Sequence, residues 1–207
     1  LFHNKVKDKI SSGGDCATAP ISSCSANPTA DYAINVDQAK TYGLELSTRY
    51  QINAAWGLKG GYTHTRSEVV EAGKKNGQLA NTPKHAAHAQ VEWSPSDKLR
   101  LWFRGEYRGK SPRFTGDVAN LTGNNLAIYN AVGDIKAHAL FHVGGSYKVS
   151  KNLSVQANIY NLFDKDFREF TQVNLNGTPT WVNAYFQGGS SVTGTTLPGA
   201  PSGSRRA

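Results

Sequence analysis

The sequence predicts an all-β protein, an antiparallel meander of about seven strands that cross a membrane. Apolar and polar side chains alternate over successive segments, so each predicted strand has one apolar and one polar face. Short connections alternate with long polar ones, as in membrane β-barrels, whereas soluble sandwiches carry loops of mixed length at both ends. The sequence contains no amphipathic helix that could cover the apolar faces in a soluble protein.

Composition limits the classes of partner. The 207 residues suffice for one domain, and no run of about 18 apolar residues predicts a transmembrane helix. Only 38% of the residues are apolar, which still permits barrel strands because every second residue of such a strand is polar. The net charge of +8 raises nucleic acid as a partner. The Lys and Arg residues are scattered singly, however, so we expect no nucleic-acid binding and favour a small anionic ligand.

The strands follow one another in chain order. Residues 1–10 form the end of a strand that enters a Gly-, Ser- and Pro-rich loop at 11–30, and residues 32–38 form an extended loop wall. Alternation then predicts strands at 41–52, 56–66, 85–93, 99–109, 137–149 and 153–163. Short turns separate the members of each hairpin, and long polar loops are predicted at 67–84, 110–134 and 164–199.

The apolar face of these strands is predicted to contact lipid. Trp56 and Trp93 lie beside short turns, and Tyr62 and Tyr107 lie further along their strands, as the two aromatic girdles of a barrel would. Aromatic residues in a soluble core are the alternative, because soluble strands also favour them. The residues expected to point outward are Leu44, Leu46, Leu101, Phe103, Phe141 and Val143.

Cys16 and Cys24 are the two cysteines of the chain and lie in the predicted 11–30 loop. A disulfide between them would pin an exposed loop in an oxidising compartment, and two unrelated thiols are the alternative. A metal site is disfavoured because no further Cys or nearby His completes a ligand set.

Three segments resemble the C-terminal barrel of TonB-dependent outer-membrane receptors, most closely the ferric catecholate siderophore receptors of the enterobactin type. They contain Gly43-Leu44-Glu45, Thr82-Pro83-Lys84-His85 and Asn161-Leu162-Phe163-Asp164-Lys165-Asp166-Phe167. In the family the last motif ends the penultimate strand. The resemblance covers residues 1–199, which it identifies as the C-terminal portion of the barrel.

The resemblance implies a fold and a function. The fold is part of a plugged barrel of about 22 strands in the bacterial outer membrane. The function is that of a receptor and transporter for ferric siderophores, of the catecholate, enterobactin-like kind, in contact with outer-membrane lipid and energised through the TonB complex. The family engages TonB through an N-terminal region that the matched segments do not include. We expect no catalysis and no cofactor, with iron carried only as the ferric siderophore.

Two departures from the family pattern lead to further expectations. The chain begins at Leu1 with no counterpart of the family's plug, so we expect a fragment boundary there. Residues 200–207 do not alternate, and Pro201 lacks a backbone donor, so we expect an irregular tail in place of the closing strand. A small closed outer-membrane barrel and a soluble carbohydrate-binding β-protein remain as alternatives.

A ferric tris-catecholate is a trianion with aromatic faces, so its capture requires cations together with aromatic side chains. The alternative for each cation is a solvated loop charge. The candidate residues in the predicted loops are Lys74, Lys75, Lys110, Arg113, Phe114, Tyr129, Arg168, Trp181 and Tyr185.

The polar faces of the strands are predicted to line the lumen. Arg100, Arg104 and Arg108, with Glu92 and Glu106, would form a cross-strand charge ladder or contact the plug. On the same reasoning, two histidines face the lumen but lie about 13 Å apart along one strand and cannot share a metal ion. These are His138 and His142. The sequence contains no catalytic constellation, and we expect no metal site.

Overall fold

The computed structural model describes residues 1–16, 31–71, 74–186 and 192–193. The helical elements are a 3-10 helix at Val118–Asn120 and α1 at Gly123–Val132. The strands are β1 Phe2–Asp15, β2 Asp31–Gln51, β3 Trp56–Glu71, β4 Lys74–Lys75, β5 His85–Trp93, β6 Leu99–Arg108, β7 His138–Lys148, β8 Ser154–Ile159, β9 Phe170–Leu175, β10 Thr178–Asn183 and β11 Val192–Thr193.

Seven strands form an antiparallel meander in the order β1-β2-β3-β5-β6-β7-β8, with β4 paired to β3. The predicted all-β meander is therefore confirmed. Strands β9, β10 and β11 form a separate small sheet. Within the described residues β1 and β8 are the two edges of the large sheet and do not pair with each other, so the alternative of a small closed barrel is wrong for this chain.

The pairing register gives the sheet one apolar and one polar face, because directly paired residues point to the same side. Polar residues lie on one face, in rows such as Arg49, Lys59, Gln90, Arg104 and His142. On the other face an apolar row crosses six strands, and four of its side chains are at least 36% exposed. This row is Tyr50, Leu58, Val91, Phe103, Val143 and Ile159.

The short connections lie at one end of the sheet beside stacked tryptophans. Asn53 closes the β2–β3 turn, since its Oδ1 accepts from the backbone N–H groups of Ala55 at 2.8 Å and Trp56 at 2.9 Å. Trp56 then stacks on its cross-strand partner Trp93 with ring centroids 5.5 Å apart. This pair lies where the predicted aromatic girdle places it.

Strands β1, β2 and β3 extend further toward the long loops than predicted, whereas β8, predicted at 153–163, ends earlier, at Ile159. β1 and β2 remain paired from Phe2 with Gly43 to Asp15 with Asp31, through residues assigned to a loop and to an extended wall. Strand β3 likewise continues to Glu71. The prediction was wrong at these ends because alternation of apolar and polar residues marks a strand only where its two faces meet different surroundings.

Helix α1 lies in the segment predicted to be a loop at 110–134. Its sequence, GNNLAIYNAV, carries no apolar stripe, which explains why periodicity did not indicate it. Among the described residues no helix is long and apolar enough to cross a membrane.

Two predictions concern residues that are only partly described. Cys16 is buried and disulfide-bonded, and Cys24 lies outside the described residues. The predicted irregular tail at 200–207 also lies outside them. The pairing of Cys16 with Cys24 and the irregular tail therefore stay predictions.

Candidate functional site

The long connections form one layer above the sheet, which we call the loop layer and define as residues 76–84, 109–137 and 164–186. Paired backbone hydrogen bonds join its first two segments. Gln78 and Gly116 exchange bonds of 3.2 and 2.9 Å, and the N–H of Asn81 donates to the carbonyl of Pro112 at 2.8 Å. Within the second segment, Ser111 and Ile135 exchange bonds of 3.2 and 3.0 Å. The layer is thus a connected structure and not a set of separate loops.

Arg113 fixes the third segment of the loop layer to the second. Its side chain is 1% exposed, and its guanidinium donates Nε to Gly133 O at 2.8 Å, Nη1 to Phe186 O at 2.9 Å and Nη2 to Ala184 O at 3.2 Å. Burial lowers the pKa of this guanidinium from its ordinary value, and nearby Asp134 opposes that effect. The group stays charged, because an arginine keeps its proton in proteins.

A cavity of about 510 Å³ opens in the loop layer beside Arg113. Lys110, Phe114 and Tyr129 line it, together with Lys84. Both lysines are exposed, and both aromatic side chains are half-buried. The cavity therefore combines two accessible cations with two aromatic faces, and its volume falls within the usual range for small-molecule sites.

Two carboxylates also line the cavity, and both are engaged by neighbours. Asp117 caps the 3-10 helix, its Oδ1 accepting from the N–H of Ala119 at 3.0 Å. Asp134 shares a side-chain hydrogen bond with Tyr129, whose pKa is raised first by burial and then by this carboxylate. These contacts orient both acids without removing their charge. The accessible positive charge comes from the exposed Lys84 and Lys110, since Arg113 is buried.

The structure brings together four of the predicted ligand residues at this cavity: Lys110, Arg113, Phe114 and Tyr129. Arg113 is a correction, since its three carbonyl partners and 1% exposure make it a link between loops and not an accessible cation. Lys84 also lines the cavity but was not among the predicted ligand residues. Its position between Pro83 and the start of β5 is the signal that could have indicated it.

The remaining candidates lie away from the cavity lining. Lys75 pairs with Glu68 at 2.9 Å, and Arg168 pairs with Asp166 at 3.0 Å. Trp181 is half-buried in β10, and the described part of Lys74 is its backbone in β4. These four residues therefore stay predicted ligand residues. The ion pairs reduce the net charge that Lys75 and Arg168 could offer to an anionic ligand.

Tyr185 is also buried, at 8% exposure, in an aromatic cluster that sequence reasoning did not anticipate. The Lys165 ammonium donates to the Tyr185 hydroxyl at 2.7 Å and lies 4.4 Å from the centre of its ring. Phe167 meets the same ring edge-on at 5.3 Å. Lys165 and Phe167 belong to the motif at 161–167, so this motif is the sequence feature from which the cluster could have been predicted.

Asn161 explains the physical role of that motif at the end of β8. Its Oδ1 accepts from the N–H of Lys165 at 2.9 Å, and its Nδ2 donates to the carbonyl of the same residue at 3.2 Å. Its own N–H donates to His142 Nδ1 at 3.1 Å. Asn161 and Asp164 have φ of 52° and 48°, a region that Asn and Asp tolerate better than most residues. Leu162 and Phe163 occupy the turn between them, which redirects the chain from the sheet into the loop layer.

The polar face of the large sheet carries the predicted lumen residues. Arg104 and Glu106 form an ion pair at 2.8 Å, and His142 Nε2 lies 3.9 Å from the same carboxylate. Glu92 pairs with Lys59 on the neighbouring strand. His138 instead lies edge-on to the ring of Phe167, with centroids 5.0 Å apart. The two histidines thus have different surroundings, and no His, Cys, Asp or Glu group able to hold a metal ion occurs among the described residues.

Comparison with known proteins agrees with this architecture. The family described as "TonB dependent receptor-like, beta-barrel" matches residues 1–162. The iron-regulated outer membrane virulence protein of Vibrio cholerae is 30% identical over 170 residues, which cover 80% of this chain and 24% of the relative. The ferric enterobactin receptor of Pseudomonas aeruginosa is 30% identical over 190 residues, covering 85% of this chain and 23% of the relative. The chain thus spans about a quarter of the length of the curated relatives that it matches.

Solved structures share the fold. The ferric-catecholate import receptor Fiu of Escherichia coli K12, in its closed form, aligns with a TM-score of 0.54 at 17% identity over 92% of this chain and 22% of its own. The copper transporter OprC aligns with a TM-score of 0.56 at 18% identity over 79% and 22%. The matched family, the meander and its two faces lead to one conclusion: this chain belongs to the TonB-dependent receptor-like β-barrel family and forms part of a barrel wall in the bacterial outer membrane.

Proposed function

We propose that the full-length protein takes up ferric siderophores of the catecholate class across the outer membrane, energised through TonB. In this proposal the chain contributes part of the barrel wall and a loop layer that captures the ligand. Iron is cargo inside the siderophore, and the protein catalyses no bond change.

The observation that carries the proposal is the cavity with Lys110, Phe114 and Tyr129 around it. A ferric tris-catecholate presents three negative charges and flat aromatic faces. Lysine ammonium groups attract the charge, and aromatic side chains stack against the rings. Because Arg113 holds the loop layer together, these groups are positioned before the ligand arrives, which lowers the entropic cost of binding.

Names of relatives support the ligand class. The ferric enterobactin receptor of Pseudomonas aeruginosa matches 85% of the chain, and the catecholate siderophore receptor Fiu of Escherichia coli is 28% identical over 60% of it. Membership in the same family favours uptake driven by TonB over passive diffusion. The alternative of a soluble carbohydrate-binding protein loses its support, because the chain matches the TonB-dependent receptor β-barrel family over residues 1–162.

The test is uptake of radiolabelled iron by cells that lack their own siderophore receptors and express the full-length protein. We expect ferric enterobactin to be accumulated and ferric hydroxamates to be ignored, because hydroxamate chelates lack the aromatic faces and the triple charge. Deletion of TonB should abolish accumulation. Equal uptake of both chelates would overturn the catecholate assignment, and uptake that persists without TonB would overturn the energised mechanism.

A further inference from the structure

The turn that follows β8 is held to strand β7 by two hydrogen bonds of different kinds. The N–H of Leu162 donates to the carbonyl oxygen of Phe141 at 2.7 Å, and a carbonyl accepts at any ordinary pH. The N–H of Asn161 donates instead to Nδ1 of His142 at 3.1 Å. An imidazole nitrogen accepts a hydrogen bond only while it carries no proton, so this second bond depends on the charge of His142.

The contacts of His142 determine where its protons lie. The residue is buried on the polar face of the sheet. Because Nδ1 accepts from Asn161, the neutral ring carries its single proton on Nε2. Nε2 lies 3.9 Å from the carboxylate of Glu106. One ring nitrogen therefore contacts the turn that enters the loop layer, and the other lies near an acid of the barrel wall.

The charged and titratable groups that face His142 in the described part of the chain come from both neighbouring strands. On β6, Arg104 is its direct cross-strand partner and forms an ion pair with Glu106 at 2.8 Å. After β8, the ring of Tyr160 packs against the imidazole with centroids 5.5 Å apart. Glu106 attracts a positive charge on His142, whereas Arg104 repels it. The two effects oppose each other, so a proton can enter or leave the ring.

We propose that His142 is a proton-operated latch between the barrel wall and the loop layer. While the ring is neutral, Nδ1 holds the N–H of Asn161. When Nδ1 gains a proton it becomes a donor that faces another donor, so the bond is lost and the imidazolium pairs with Glu106. Histidine side chains gain a proton between about pH 8 and 5, so the bond is present at the upper end of this range and is lost as the pH falls.

Release of the latch reaches the third segment of the loop layer. The side chain of Asn161 is bonded to the backbone of Lys165, whose ammonium donates to the hydroxyl of Tyr185. A freed turn therefore loosens the start of this segment at acid pH. This inference does not depend on the ligand that the receptor transports.

The experiment is amide hydrogen exchange of the full-length protein in detergent micelles, followed by mass spectrometry with fragmentation to single residues. The measured quantity is the exchange rate of the Asn161 amide, divided by the intrinsic rate of an unprotected amide at the same pH. We expect the protection of this amide to fall about tenfold between about pH 8 and 5.5, because a half-buried donor loses its acceptor. This range lies above the pH at which carboxylates ordinarily gain protons, so the response belongs to an imidazole.

Three variants identify the group that responds. His142→Asn offers an amide oxygen in place of Nδ1 and does not titrate, so Asn161 should keep the same protection at both pH values. His88→Asn is the matched control, because His88 is an exposed histidine of the same polar face, and its removal should leave the tenfold fall in place. Glu106→Gln removes the carboxylate that attracts the imidazolium, so the fall should begin at a lower pH. This third variant tests the latch even if His142→Asn does not fold.

Four results would each overturn the proposal. They are unchanged protection of Asn161 between the two pH values in the unaltered protein, a fall that persists in His142→Asn, a fall that disappears in His88→Asn, and a midpoint that Glu106→Gln does not move.

Discussion

The guanidinium of Arg113 donates Nη1 to the carbonyl oxygen of Phe186 at 2.9 Å, although 73 residues separate them in the chain. This bond joins the loop after β6 to the end of the β9–β10 hairpin. Two further bonds from the same group, to Gly133 and Ala184, place a buried cation at the junction of the loop layer.

Arg113→Lys should therefore destabilise the loop layer even though it preserves the charge. A lysine lacks the planar fork and cannot reach three carbonyls at once, which leaves buried acceptors unpaired at a cost of about 2–4 kcal/mol. Limited proteolysis of the full-length protein in vesicles should show faster cleavage within 109–137. The exposed Lys110→Arg serves as control, and equal protection of both variants would contradict this role for Arg113.

The lipid face gives a second prediction. Phe103 points outward, is 39% exposed, and pairs with Val143 about midway between the girdles. Phe103→Arg should cost on the order of 2–4 kcal/mol in the free energy of unfolding measured in vesicles, because the charge enters hydrocarbon. Gln156→Arg places the same side chain on the polar face and should cost about 1 kcal/mol or less. Similar costs for both variants would refute the assignment of the faces.

Asn161 gives a third prediction. Asn161→Ala removes both bonds to Lys165 and places alanine at a φ of 52°, so we expect a loss of about 2–3 kcal/mol in unfolding free energy. Asn161→Asp keeps the acceptor and the tolerance for this backbone region, so it should lose less than half as much. The same vesicle unfolding assay measures the stability of both variants. Equal losses would show that the two bonds from the Asn161 side chain to the Lys165 backbone do not stabilise this turn.

Sequence reasoning succeeded where the two faces of a strand meet different surroundings. Strands β5, β6 and β7 were predicted to within one residue at every end, because apolar and polar residues alternate strictly along them. Toward the long loops both faces of a strand are expected to meet water, so alternation is lost. The ends of β1, β2 and β3 were therefore predicted as loop. Helix α1 was missed because its residues carry no apolar stripe.

The candidate site was predicted by residue type and not by arrangement. Lys110, Phe114 and Tyr129 were named because cations and aromatics suit an aromatic anion, and they line one cavity. Arg113 satisfied the same criterion but is buried, since its partners are carbonyls from distant segments that no local pattern announces. Composition identifies a charge, and only tertiary contacts decide whether that charge is accessible.

Glu169 gives a prediction for pH. Its carboxylate accepts from Lys136, which lowers the carboxyl pKa below its ordinary value of 4.5. Since the folded pKa lies below the unfolded one, the contribution of the pair is fully present above about pH 4.5 and is lost as the pH falls through the folded value. The amide hydrogen-exchange rate of residues 164–186, divided by the intrinsic rate of unprotected amides at the same pH, should therefore rise below pH 4.5.

The variant Glu169→Gln should remove most of this acid response, because its amide does not titrate. Asp166→Asn serves as the matched control, since within the part of the chain that the structure describes Asp166 forms its ion pair with the exposed Arg168, two residues away. Protection that falls in the same way in the unchanged protein and in Glu169→Gln would show that the Lys136 pair does not hold this segment.

The most direct test of the central claim is the dissociation constant of ferric enterobactin for the full-length protein, measured by fluorescence quenching. We expect Lys110→Gln combined with Phe114→Ala to raise this constant by about 10- to 100-fold, since a cation and a stacking ring are lost together. The control, Lys98→Gln with Leu153→Ala, changes residues beside the short turns and should leave the constant unchanged. An unchanged constant in the cavity variant would contradict capture of the ligand at this cavity.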